Sequence, residues 1–214
     1  MDAKDLRFRR GLKNVVVAEV TEDTAEKYDV GTIKPLFAAG NMTVSVTQDK
    51  AAIWLDNKIV ATMGREAPSE ISVDGSAIKE ELQAELFGKD IDDETGVIMD
   101  SGDFVEKYYA FGAEVGNYGE KPSYVWFLKT TLTIPNDVTK TEDESTDWNG
   151  SSITVTAQKT VHEFETKKGK KAMKRMVLDP NLSELLPEKD WFAQVVTPDN
   201  VKTVATKKTA AATE

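Results

Sequence analysis

Asp90, Asp92 and Glu94 stand at alternate positions in GKDIDDETGVIMD, residues 88–100, the spacing at which a calcium loop offers its first carboxylates. Such a loop also needs glycine at its sixth position and a bidentate glutamate at its twelfth. Counted from Asp90, those positions hold Thr95 and Ser101, so the pattern fails at both. What remains is an Asp-rich turn after a helix stop, with Val97, Ile98 and Met99 entering a strand. His162 is the sole histidine, so any Ser-His-Asp relay would run through it. Its place with Gln158 and Thr160 on the polar side of a strand, without a Gly-x-Ser-x-Gly elbow, reads as a wetted strand residue. Gly112, Gly116 and Gly119 are irregularly spaced beside Glu114 and Glu120, which carry the wrong charge for a phosphate cradle. Among 37 acidic residues, a glycosidase-like carboxylate pair arises by chance and carries no specificity. There is no cysteine, hence no thiolate metal site, disulfide or thiol nucleophile. The expectation is a protein that is not an enzyme and uses no metal or cofactor.

Two other groups of residues point to binding between macromolecules. TKKGKK places Lys167, Lys168, Lys170 and Lys171 around Gly169, the form of a solvated hairpin tip. Such a tip could also face acids on a neighbouring subunit. The polar stretch 136–151 carries Glu142, Asp143, Glu144, Asp147 and Trp148. A loop of that length is functional or disordered, and its tryptophan either anchors an interface, folds back on its own domain or stacks on sugars. Trp54, Trp126 and Trp191 sit in apolar surroundings and read as core.

The elements that position these residues read mostly as strands. Asn14–Val20 is β-branched, Met42–Gln48 alternates, and Ala51–Asp56 and Lys58–Thr62 flank an Asp56-Asn57 turn. Glu70–Asp74 is a further short strand. Ser123–Ile134 puts Tyr124, Trp126, Leu128, Leu132 and Ile134 on one face and Lys129, Thr131 and Thr133 on the other. Ser152–Val161 repeats this, with Ile153, Val155, Ala157 and Val161 inward and Thr154, Thr156, Gln158 and Thr160 outward. Alternation of this kind predicts antiparallel sheet with one wetted face. A helix is expected from an N-cap at Ser76, with Glu80 and Glu81 early, an apolar stripe at Ile78, Leu82 and Leu86, and a stop at Gly88. The predicted fold is mainly β, packed antiparallel sheets in a sandwich or barrel-like arrangement, with one short amphipathic α-helix. It forms a single domain over 1–198, with an N-terminal arm (1–13), the long loop (136–151) and a flexible tail (199–214).

Composition narrows the partners. Lys plus Arg number 27 against 37 acids, a net charge of −10, which opposes tight grip on nucleic acid or on anionic membrane. No run approaches the ~18 apolar residues of a membrane span, and MDAKDLRFRRGLKN has no apolar core to serve as a signal peptide.

The succession of segments resembles the major tail tube proteins of long-tailed, siphovirus-type phages of Gram-positive bacteria. The resemblance begins in RRGLKNVVVAEVTEDTAEKYDVGTIKPLFAAGNMTVSVTQDKAAIWLDN. It continues through EELQAELFGKDIDDETGVIMDSGD, YYAFGAEV, YVWFLKTTLTIPND and TKTEDESTDWNGSSITVTA, from about Arg10 to Asp179. It implies a tail tube fold and a structural virion protein whose copies form rings, commonly hexameric, stacked into a conduit for DNA during ejection. It also implies a tape-measure protein and other tail proteins as partners, passage of DNA without specific binding, and residence in the virion tail after assembly in the host cytoplasm. On that reading Thr154, Thr156, Gln158 and Thr160 are candidates to line the lumen. The acids and Trp148 of 136–151 and the four lysines of the basic tip are candidates for contact between subunits. A different class of function, a virion-borne β-sandwich module binding carbohydrate or a protein through Trp148, predicts a stable monomer instead.

Overall fold

The computed structural model describes residues 8–103, 105–133, 135, 150–182 and 191–204. The chain opens with β1 (Arg9–Asp23), β2 (Tyr28–Val30) and β3 (Lys34–Pro35), then makes a long hairpin of β4 (Ala39–Leu55) and β5 (Lys58–Ser76). Helix α1 (Glu80–Phe87) follows, then the short β6 (Asp90–Ile91) and β7 (Ile98–Met99). The long β8 (Tyr109–Asn117), β9 (Glu120–Leu132) and β10 (Gly150–Gln158) come next, and β11 (Glu163–Thr166), β12 (Gly169–Ala172) and β13 (Arg175–Leu178) are small. The fold is mainly β, antiparallel, with one short helix and a helical turn over 201–204.

The main sheet runs in the order β2-β1-β8-β9-β10-β5-β4, with β3 on β1 and β13 on β9. It curls until β4 lies alongside β1, which gives a barrel-like shape. Val17, Ile71, Val73, Phe111, Phe127 and Val155 fill its inside, and Ile78, Leu86 and Phe87 of the α1 region join the same cluster. A second core lies on the outer side of β1, β8 and β9. There Ala110, Trp126 and Leu128 are covered by Phe164, Leu178, Trp191, Val195 and Val196. Each fully buried aromatic or aliphatic side chain contributes about 1.5–3 kcal/mol.

Two cores explain the first departure from expectation. The 123–134 strand is not wetted on one side: Tyr124 to Thr130 are all buried, because the C-terminal segment covers Tyr124, Trp126 and Leu128 while the opposite face sends Val125 and Phe127 into the barrel interior. A β-bulge adds to this. Tyr109 pairs with Thr130 but Phe111 with Phe127, so β9 carries one extra residue and its faces exchange. Leu132 therefore joins the inner core with Phe127, not the outer one with Trp126.

Other boundaries differ. The four short strands expected between Met42 and Asp74 are one continuous hairpin, with Asp56 and Asn57 both in the left-handed region (φ 48° and 58°), the turn that matches strand twist. The expected arm is strand from Arg9 onward, where Leu12 pairs with Val115. Strand β10 begins at Gly150, inside the expected loop. The segment 201–204 is not part of a tail without a buried face, since Val204 is buried. Ser76 is not the N-cap. It ends β5, where its Oγ accepts a hydrogen bond from Ala38 N at 3.2 Å, and Lys79 precedes the helix. The other end is as expected: Gly88 adopts φ 69° and its region closes the helix, with Glu80 and Glu81 in the first turn.

Candidate interaction surfaces

The outward residues of β10 belong to a wider polar face that the pairing register assembles. Thr154 lies opposite Ser72, which lies opposite Thr43. Thr156 stands between Thr131 and Glu70, and Glu70 pairs with Ser45. Ser152, Asp74 and Asn41 form a third row, and Gln158 pairs with Lys129. Side chains of paired residues share a face, so four strands present a sheet of hydroxyls and amides. Its charges in these rows are Glu70, Asp74 and Lys129, and the Lys129 Nζ is held by Asp23 at 2.7 Å. The alternation of 42–48 and 152–161 was legible, but which polar residues meet across strands was not. Asn41, Thr43, Ser45, Glu70, Ser72 and Asp74 were therefore missed.

Thr160 does not belong to this face. Strand β10 ends at Gln158, and the Asp23 carboxylate then accepts the backbone N–H groups of Val161 and His162, each at 2.9 Å. That capture turns the chain and buries Thr160, whose Oγ1 donates to His162 O and accepts from Met173 N. Val161, expected inside, is exposed. His162 is not a wetted strand residue. Its ring packs edge-on against Phe164 with centroids 4.7 Å apart, and Nε2 lies 3.6 Å from Asp199 Oδ2.

The second surface is the outer half of the β4–β5 hairpin. Strand β10 accompanies β5 only from Ser76 to Ser69, so the rest has no third strand among the described residues. About ten residues at ~3.3 Å each extend it by roughly 35 Å. Trp54 is 61% and Met63 67% exposed, and Ile53, Leu55, Ile59 and Val60 are exposed with them. Trp54 pairs with Ile59 on one face, while Ala51 pairs with Met63 and Ile53 with Ala61 on the other. A two-stranded ribbon with apolar side chains on both faces is marginal alone in water. Trp54, expected in the core, is overturned here: AAIWLD is an exposed strand rather than a buried one. Trp126 and Trp191 are core, joined by a hydrogen bond from Trp126 Nε1 to Trp191 O at 3.0 Å.

The two charged motifs are both turns. Lys167 and Lys168 form the two-residue tip between β11 and β12, and Lys170 Nζ stands 3.7 Å from Glu165 across the hairpin while Lys171 is exposed. In the acidic stretch, Asp92 accepts hydrogen bonds from Glu94 N (2.9 Å) and Thr95 Oγ1 (2.7 Å). The Thr95 hydroxyl and these amides hold its carboxyl below the usual range. That carboxylate is spent on closing a turn, with Asp90 and Ile91 pairing Met99 and Ile98. The expected contact residues Glu142, Asp143, Glu144, Asp147 and Trp148 lie outside the described residues.

No helix among the described residues is long and apolar enough to cross a membrane. No protein-family model matches the chain, and no curated protein matches it.

Proposed function

We propose that this chain is a tail tube subunit of a long-tailed bacteriophage, a structural protein whose copies close into rings that stack around a channel. The observation that carries the reading is the hairpin arm, an apolar ribbon that nothing among the described residues covers. A surface of that kind on one side of a subunit, meeting a different surface on the next copy, generates rings or filaments rather than closed dimers. Beyond Val46 the outer edge of β4 pairs with no strand among the described residues and offers main-chain pairing to the same partner. The polar face of β9, β10, β5 and β4 suits a channel wall. A conduit for DNA must not neutralise phosphates, because each such contact adds affinity. Threonine, serine and asparagine with Glu70 and Asp74 offer none, the Lys129 ammonium is buried against Asp23, and the net charge of −10 agrees. Its partners would be further copies of itself, a tape-measure protein and other tail proteins, with DNA passing without being held. It would reside in the virion tail.

Negative-stain microscopy of the concentrated protein tests this. Rings or tubes are expected, and their loss when Trp54 and Ile59 are replaced by serine. A species that stays single at every concentration, alone and with other tail proteins, would overturn the reading and leave the monomeric binding module in its place.

A further inference from the structure

Four features coincide where the arm leaves the body. Strand β10 stops accompanying β5 at Ser69. Between the pairs Val46–Ser69 and Gln48–Glu66, Thr47 alone faces both Ala67 and Pro68, a bulge with one extra residue on β5. Pro68 has no N–H to give a ladder, and proline in a sheet belongs at such breaks. Lys174, just before β13, reaches across this point. Its Nζ donates to the Glu66 carboxylate, to Ala67 O at 3.4 Å and to Ser69 Oγ at 2.8 Å. Its side chain is only 14% exposed, and its own carbonyl accepts Leu128 N of β9 at 3.1 Å. The cation is thus fixed to the body at one end and to both sides of the bulge at the other.

We propose that Ala67–Pro68 is a hinge for the arm formed by residues 48–66, and that Lys174 is the pin that sets its angle. A weakened ladder supplies the freedom, and one semi-buried ammonium with three acceptors removes most of it. The arm is then presented to a partner already oriented, which lowers the ordering cost of association. In this role Lys174 is a positioning residue for whatever the arm contacts. The Glu66 carboxyl is held down, first by the hydrogen bond from Lys174, as a working pin requires.

The hinge is a property of one copy, so its test does not depend on assembly. The chain has no cysteine, so Lys58→Cys at the arm tip and Asp93→Cys in the acidic turn give two unique spin-label sites. Labelled full-length protein is diluted into an excess of unlabelled protein, and the tip-to-body distance is read by pulsed electron resonance. The expected result is one narrow distance in the otherwise unaltered chain and loss of that narrow peak in Lys174→Met, with unchanged near-ultraviolet circular dichroism. Should Lys174→Met fail to fold, Glu66→Ala with Ser69→Ala removes two acceptors and leaves the lysine in place. A narrow peak of unchanged width in the folded variants would overturn the pin. A broad distance in the unaltered chain would overturn it equally. Assembly lost in Trp54→Ser with the narrow peak intact would separate the contact surface from the hinge.

Discussion

Asp23 and Lys129 meet at 2.7 Å, with side chains 6% and 11% exposed, where the end of β1 crosses β9. The same carboxylate takes the amides of Val161 and His162, so one ion pair ties β1, β9 and the turn after β10. The face of Tyr108 lies 4.5 Å from the ammonium.

This pair makes acid stability readable. Burial raises the Asp23 carboxyl, but the hydrogen bond with Lys129 and the two amides outweigh it, and the net value lies below the ordinary 3.8. A depressed carboxyl contributes stability that is present above its unfolded value and lost as pH falls through the folded one. Urea midpoints should therefore fall as pH drops below about 4. Asp23→Asn should flatten that part of the curve relative to the parent. It also strands a buried ammonium and should cost about 3 kcal/mol near neutral pH.

Trp54 should behave as a surface residue of the single copy. Trp54→Ser should change unfolding free energy by less than about 0.5 kcal/mol while abolishing the larger species in sedimentation velocity. Equal loss of stability and of assembly would place Trp54 in a core instead.

The polar face should be convertible into a DNA trap. Thr43→Lys, Thr154→Lys and Thr156→Lys together put three cations on β4 and β10, the two strands flanking β5, in two adjacent rows. Fluorescence anisotropy should show duplex binding absent from the parent, with a log–log salt slope steeper by ~0.9 for each phosphate engaged.

Gly112 lies under the indole of Trp126, and a Cβ there would sit 2.8 Å from Trp126 Cζ3. Gly112→Ala should destabilise by about 1–3 kcal/mol through displacement of that ring, measured by urea unfolding. Near-ultraviolet dichroism of the tryptophans should change with it, since Trp126 also holds Trp191 O.

Much of the architecture was legible. Alternation located β10, the Asp56-Asn57 pair located a turn, and Gly88 located the helix end. What escaped has physical causes. Apolar sequence alone does not report whether a face finds cover, so Trp54 and Trp126 look alike in sequence although Trp126 packs inside the chain and Trp54 is exposed. A bulge in β9 reverses parity with no mark in the residues themselves, which misassigned Leu132. Thr160 left the polar face because a distant carboxylate, Asp23, ended the strand. Lys174 continues the basic run after TKKGKK and nothing there marks it from the other lysines, because its three acceptors come from a strand about a hundred residues earlier.

The ladder of hydrogen bonds joining β5 to β10 runs perpendicular to the strands. A pull on the hairpin tip along its own axis therefore loads many of these bonds together, in shear, instead of peeling them one after another. The same ribbon that lacks shelter among the described residues is mounted so that tension is shared by the body, with the bulge at Ala67–Pro68 as the place where it would first give.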